Sequence, residues 1–265
     1  MNFAQNSLFG ELEFFKFLLR RNNMSGHSKW HNIQARKGKA DAARGKIFTK
    51  IGREIAVCVK MGGADPNVNS KLKDIIAKAK QNNMPNDSID RSIKKAAGEG
   101  NGVNYEACTY EGYGVGGSAV IVECLTDNKN RTAGDVRHAF DKHGGSMGST
   151  NCVSYLFNRK GSVIVVDVED VETLMLDAIE EGAVDVIEDG DAVEVITEPN
   201  QDGKMREALE KKGYTIVSSE TALVPDLYVD LNEEQAGKFQ RMIDALEDLD
   251  DVQEVYHNVN LPDEE

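Results

Sequence analysis

Long apolar runs are missing from this 265-residue chain. No stretch approaches the roughly 20 residues that cross a bilayer, so a membrane-spanning role is excluded and a soluble, cytoplasmic protein is expected. Cysteine is sparse: Cys58, Cys108, Cys124 and Cys152 include no Cys-x-x-Cys spacing, which argues against a zinc knuckle or a disulfide framework and fits a reducing compartment. Catalytic signatures are absent as well. There is no G-x-S-x-G elbow, no P-loop and no His-Glu-x-x-His. His27 and His31 stand four apart, but lysines surround them and no third ligand is near in sequence, so neither a metal nor a cofactor is expected. The chain reads as a non-enzyme.

Several strings imitate known sites without their context. Gly112-Tyr113-Gly114-Val115-Gly116-Gly117 satisfies G-x-G-x-x-G but precedes a predicted strand rather than joining a strand to a helix. Gly145-Ser146-Met147-Gly148 follows a predicted helix and leads into a strand, unlike a KH loop, and the strand after Lys160-Gly161 lacks the aromatics of an RNA-recognition motif. Asp127 to Thr132 is read as a helix cap.

What the chain does have is a division of charge. The net charge of −14 argues against a nucleic-acid partner only as an average. Residues 24–100 hold 16 Lys/Arg against 7 Asp/Glu, a net +9, whereas residues 101–265 hold 12 against 36, a net −24. Such asymmetry points to a polyanion partner for the basic part. The length and the 40% hydrophobic content are enough for two or three cores.

Periodicity then divides the chain. A short helix is predicted at 28–36. Ile47, Phe48, Ile51, Ile55 and Val59 predict a second helix that Gly62-Gly63 ends. Asp65-Pro66 is read as the start of a third, with Leu72, Ile75, Ile76 and Ala79 buried, and residues 86–88 as the cap of a fourth. Beyond the glycine-rich linker at 98–102, strands are predicted at 118–125, 153–157, 162–167, 184–188, 192–197, 215–219, 223–229 and 252–258. Helices are predicted at 131–143, 171–181, 203–212 and 233–249. The central run spells β-α-β-β-α-β. The expected fold is α+β: an N-terminal helical bundle followed by two ferredoxin-like β-α-β-β-α-β domains, one inserted in the other. The expected parts are an N-terminal extension (1–23), a basic helical nucleic-acid-binding domain (24–100), a split α/β domain (101–159 plus 221–265) and an inserted ferredoxin-like domain (160–220). The extension fits neither a signal peptide nor a presequence, and Met24 opens the basic module.

Lys46, Lys50 and Arg53 lie at i, i+4 and i+7 on one helix and form a cationic stripe. Arg36, Lys37, Lys39 and Arg44 crowd the turn before it, and Lys29 and Trp30, the latter able to stack on a base, complete the candidate nucleic-acid-binding set. No turn and recognition-helix spacing of a helix-turn-helix reader is legible in the module, which favours RNA over DNA.

From Met24 onward the chain resembles the YebC/PmpR family. The resemblance rests on Met24-Ser25-Gly26-His27-Ser28-Lys29-Trp30-His31-Asn32-Ile33, on Lys37, Lys46, Phe48 and Arg53-Glu54-Ile55, and on Met84-Pro85, Tyr110-Glu111-Gly112-Tyr113-Gly114, Thr126-Asp127-Asn128, Asn130-Arg131-Thr132 and Gly144-Gly145. It departs at Val115, where the family often has Pro, and at Asn151, where it often has Gly. The resemblance implies three domains and a role in gene expression, described either as DNA-binding transcriptional regulation or as translation through the ribosome or messenger. Together these readings predict a ribosome- or RNA-associated translation factor assisting the synthesis of difficult sequences. Its bundle would meet rRNA or mRNA, and its acidic domains would contact protein. The alternative is a DNA-binding transcriptional regulator, and an enzyme using the cleft between the acidic domains ranks below both.

Overall fold

The computed structural model describes residues 41–98 and 104–260. Three helices come first: α1 (Asp41–Gly62), α2 (Ser70–Gln81) and α3 (Asn86–Ala97). Ile51, Ile55 and Val59 of α1, Leu72 and Ala79 of α2, Met84 and Ile89 of α3's approach and first turns make one core, as their 3.6-residue spacing predicts. Gly63, at φ +84°, turns the chain out of α1 while its N–H returns to the Val59 carbonyl. The cap of α2 differs from the expected one. Asp65 accepts the Asn67 N–H in a local turn, and Asn69 is the residue that accepts from the Leu72 N–H. Pro85 opens α3, where a missing N–H costs no helical bond. The helix expected at 28–36 and the extension at 1–23 lie outside the described residues.

Two four-stranded antiparallel sheets follow. The inner one is built from β4 (Phe157–Val166), α5 (Val171–Glu180), β5 (Asp185–Asp189), β6 (Ala192–Thr197), α6 (Asp202–Lys211) and β7 (Thr215–Pro225). Its strand order β5-β6-β4-β7 is that of the ferredoxin-like unit. Val163, Val165, Val193 and Val195 alternate onto the face that Leu174, Ala178, Met205 and Leu209 of the two helices cover. The unit's first and last strands, β4 and β7, extend past the expected limits of 160 and 220. No separate strand exists at 153–157 or at 223–229: residues 154–156 form a 3-10 turn, Phe157 begins β4, and 223–225 continue β7.

The enclosing sheet holds β1 (Glu106–Tyr113), β2 (Ala119–Thr126), β3 (Ser146–Met147) and β9 (Val252–His257), in the order β3-β1-β2-β9. Its helices are α4 (Lys129–Lys142) and α7 (Glu233–Glu247). The α+β class, the bundle and the two sheet-and-helix layers agree with the sequence. The enclosing unit's strand order corrects the expected β-α-β-β-α-β, because it opens on the β1–β2 hairpin. β1 carries few apolar residues and leaves no alternating hydrophobic pattern. Val120, Val122 and Cys124 of β2 pack under Phe140 of α4 and Phe239, Met242 and Leu246 of α7. The opposite face of β2, Ala119 and Ile121, meets Val153, Phe157 and Leu223 and so joins the two layers. A short parallel pair, β8 (Val229–Asp230) with β10 (Val259–Asn260), ties the return segment to the chain's end.

The glycine string at 112–117 belongs to this packing. A Cβ on Gly112 would lie 2.6 Å from the Ser146 carbonyl oxygen, and Gly116 takes φ +72° in the turn between β1 and β2. Asn151 holds φ +63°, the left-handed conformation that glycine adopts most readily. Among the described residues no helix is long and apolar enough to cross a membrane.

Candidate nucleic-acid interface

The apolar stripe of α1 faces its own bundle, so the cationic stripe on the same helix must face elsewhere. It faces the enclosing sheet domain. Lys46 Nζ donates to Asp248 Oδ1 at 2.8 Å, Lys50 Nζ to the Glu247 carbonyl at 3.1 Å, and Arg53 Nη1 to Asp251 Oδ1 at 2.5 Å and the Leu125 carbonyl at 3.1 Å. All three acceptor groups from residues 247–251 sit at the C-terminal end of α7 and the turn after it. There the last carbonyls of the helix carry the negative end of its dipole. The Arg53 guanidinium also lies 5.3 Å from the centre of the Tyr105 ring.

Asp251 is the hub of this joint. Its second oxygen takes Arg131 Nη2 at 2.8 Å and lies 2.7 Å and 3.1 Å from the hydroxyls of Thr132 and Thr126. Burial alone would raise the Asp251 carboxyl, but the hydrogen bonds from Arg131, Thr132 and Arg53 outweigh it and hold the pKa at about 2. The 127–132 string, read as a helix cap, does cap α4: Asn128 accepts the Arg131 N–H. Its Arg131 and Thr132, with Thr126 at the end of β2, also build the Asp251 cradle, a use that local sequence did not signal. The cleft beside it, ≈ 470 Å³, is lined by Arg53, Arg131 and five aspartates, among them Asp127, Asp135 and Asp250. That lining repels phosphate.

A second joint lies on the other side of α1. Lys78 of α2 is 2.9 Å from Glu54 and 3.9 Å from Glu254 of β9. Burial disfavours the ammonium, yet Glu54, Glu254 and Glu220 of β7 reverse that effect and raise its pKa. Burial likewise raises Glu54, which Lys78 offsets only in part because neighbouring carboxylates share it. One cation thus bridges the bundle to β9 and feels the charge of Glu220 on the inner sheet.

Among the described residues of the bundle, the exposed cations are Lys60 at the end of α1, Lys71, Lys73 and Lys80 on α2, and Arg91, Lys94 and Lys95 on α3. Arg91, Lys94 and Lys95 share one face of α3 at i, i+3 and i+4. In the sequence, Lys71 with Lys78 and Lys73 with Lys80 stand out as i+7 repeats; the candidate set read from it omits the α3 triad, although its spacing is available. Of that set, Lys46, Lys50 and Arg53 are brought together against the acidic turn, and Arg44 falls near the start of α1. Lys29, Trp30, Arg36, Lys37 and Lys39 lie outside the described residues, as do His27 and His31. α2 and α3 are joined by only four residues, Asn82 to Pro85, the length of a helix-turn-helix connection. Among the described residues no group of three or more His, Cys, Asp or Glu is arranged to hold a metal ion.

Two family models match the chain: one described as the TACO1/YebC protein N-terminal domain, over residues 28–99, and one as the TACO1/YebC second and third domain, over residues 105–259. A probable transcriptional regulatory protein, ORF2U, of Hathewaya histolytica is 57% identical over 242 residues, covering 91% of this chain and 98% of the relative. A probable transcriptional regulatory protein of Clostridium botulinum, strain Okra, is similar to the same extent, 57% over 242 residues with 91% and 98% coverage. Among solved structures, a conserved hypothetical protein, Aq1575 from Aquifex aeolicus, superposes with a TM-score of 0.78 at 45% identity, covering 86% of this chain and 94% of that one.

Proposed function

Because the chain belongs to the TACO1/YebC family, we propose that it is a non-enzymatic regulator of gene expression that holds duplex DNA against the α2–α3 face of its bundle. The observation that carries this reading is the triad Arg91, Lys94 and Lys95, exposed on a helix that follows a four-residue turn. A helix so placed enters a major groove while its neighbour crosses the backbone. Lys71, Lys73 and Lys80 of α2 then meet phosphates. The names of the relatives, probable transcriptional regulatory proteins, support the same direction. On this reading the bundle (24–100) is the DNA-binding domain and acts in the cytoplasm. The split domain (101–159 plus 221–265) and the inserted one (160–220) hold it and offer acidic surface to protein partners.

Equilibrium binding to mixed-sequence duplex DNA and to ribosomes or structured RNA, at one ionic strength, tests the reading. Tighter retention on duplex DNA, with a preferred sequence emerging on selection, is expected. A stable ribosomal fraction that resists moderate salt, with only weak DNA binding, transfers the same surface to the translation-factor alternative.

A further inference from the structure

We propose that the Lys46–Lys50–Arg53 stripe of α1 is a second phosphate-binding surface, closed in this conformation by the acidic turn at the end of α7. The inference rests on the reading that the bundle binds nucleic acid and adds how its contact area is regulated. Seven residues of helix rise about 10 Å, and one strand of a duplex presents a phosphate every ~3.4 Å along its axis, so three cations at i, i+4 and i+7 match a short run of phosphates. The turn places comparable acceptors on the same three cations: the Asp248 carboxylate on Lys46, the terminal carbonyl of α7 on Lys50 and the Asp251 carboxylate on Arg53. The turn therefore occupies the stripe as a phosphate backbone would. Its sequence, Glu247-Asp248-Leu249-Asp250-Asp251, places four acids in five residues.

The contact is graded in a way that suits a competitor. The Lys46–Asp248 pair is open to solvent, with side chains 42% and 74% exposed, whereas Arg53 and Asp251 are 13% and 8% exposed. Water and salt already weaken the outer pair, and the inner pair, together with the Lys78 joint to β9, holds the bundle docked. Nucleic acid that binds only the undocked bundle shifts the population toward it by its differential affinity. In the docked form only the α2–α3 cations meet the ligand. In the undocked form the α1 stripe joins them.

The test compares full-length variants on a mixed-sequence 20-base-pair duplex across a salt series. Asp251→Asn weakens the latch, and Glu169→Gln, an exposed change in the inserted unit, removes one negative charge far from it. The expected result is a several-fold gain in affinity for Asp251→Asn only, with the log-affinity against log-salt slope steeper by two to three units. Adding Lys46→Gln and Lys50→Gln to Asp251→Asn should cancel most of the gain while leaving the otherwise unchanged protein's affinity nearly untouched. Should Asp251→Asn unfold the protein, Asp248→Asn with Asp250→Asn opens the exposed rim without touching the buried network. A slope steeper by about one unit is expected there. A gain equal to that of Glu169→Gln, or one that survives the two lysine changes, overturns the latch because only net charge is then being read. A parent protein that fails to bind while Asp251→Asn binds would contradict the α2–α3 reading and support the latch. Failure of both to bind would overturn the two together.

Discussion

Asp251 shows what one carboxylate contributes when two arginines and two hydroxyls converge on it. Removing it as Asp251→Ala leaves Arg53 and Arg131 facing each other across a half-buried site, and the expected loss is about 3 kcal/mol in denaturant unfolding. The pH dependence follows from the depressed carboxyl. Its folded pKa is about 2 against an ordinary 3.8, so its stabilisation is complete above the ordinary value and is lost as pH falls toward 2, roughly 2 kcal/mol in all. Acid titration of the parent should show this loss, and Asp251→Asn should flatten it; an unchanged acid limb in the variant would remove Asp251 from the account. None of this was legible from the residue's neighbours. Asp251 sits in an acidic run that reads as solvated surface, and its partners Arg53 and Arg131 lie 198 and 120 residues away. Asn151 was more legible: a position where the resemblance implies glycine does hold positive φ.

At the scale of elements, helices were read well and strands unevenly. The stripe of α1 repeats over 13 residues from Ile47 to Val59, and period alone places it. β1 carries Tyr, Thr and Glu with a glycine near its end and is held by pairing with β2, which no local pattern announces. Caps were ambiguous for a physical reason: Asp65 and Asn69 are both good capping residues, and the choice depends on which loop closes. Asn69 wins because its amide also donates to the Cys58 and Gly63 carbonyls at 3.0 and 2.9 Å, tying the α1–α2 loop. Asn69→Ala should therefore cost about 2 kcal/mol, toward the upper end of the range for a lost cap, because two carbonyls lose their donor as well. Asp65→Ala should cost under about 0.5 kcal/mol, since its bonds are exposed and local. Thermal melts of the two variants check the ranking. Equal losses would return the cap to Asp65.

For the whole molecule, the division of charge was plain in the sequence, and its consequence was not. The +9 and −24 parts are read most simply as a basic arm beside an acidic body. Folding instead applies the acidic body to one face of the basic bundle, through Asp251 on one side and through Lys78 on the other. Lys78→Met leaves Glu54, Glu254 and Glu220 without their shared cation. The expected cost is roughly 1–2 kcal/mol, moderated because the lysine side chain is still 36% exposed. The folded pKa of Glu54, already raised by burial, then rises further, so the variant's deficit should be smallest at low pH, where Glu54 is protonated in both states. It should grow as pH climbs toward the raised folded value. A deficit independent of pH between 4 and 8 would mean that Lys78 acts by packing alone.

The central claim is that nucleic acid meets the face of the bundle the acidic body leaves uncovered, and a salt titration of duplex binding tests it most directly. Arg91→Gln, Lys94→Gln and Lys95→Gln together should keep the fold, since Gln is nearly as good a helix former. Lys142→Gln, Lys204→Gln and Lys211→Gln remove the same charge from exposed positions on the two sheet domains. If the α3 face contacts phosphate, the first variant loses affinity and its log-affinity against log-salt slope shrinks by up to about three units, while the second stays near the parent. Equal losses in the two variants, or an unchanged slope in the first, would contradict the account.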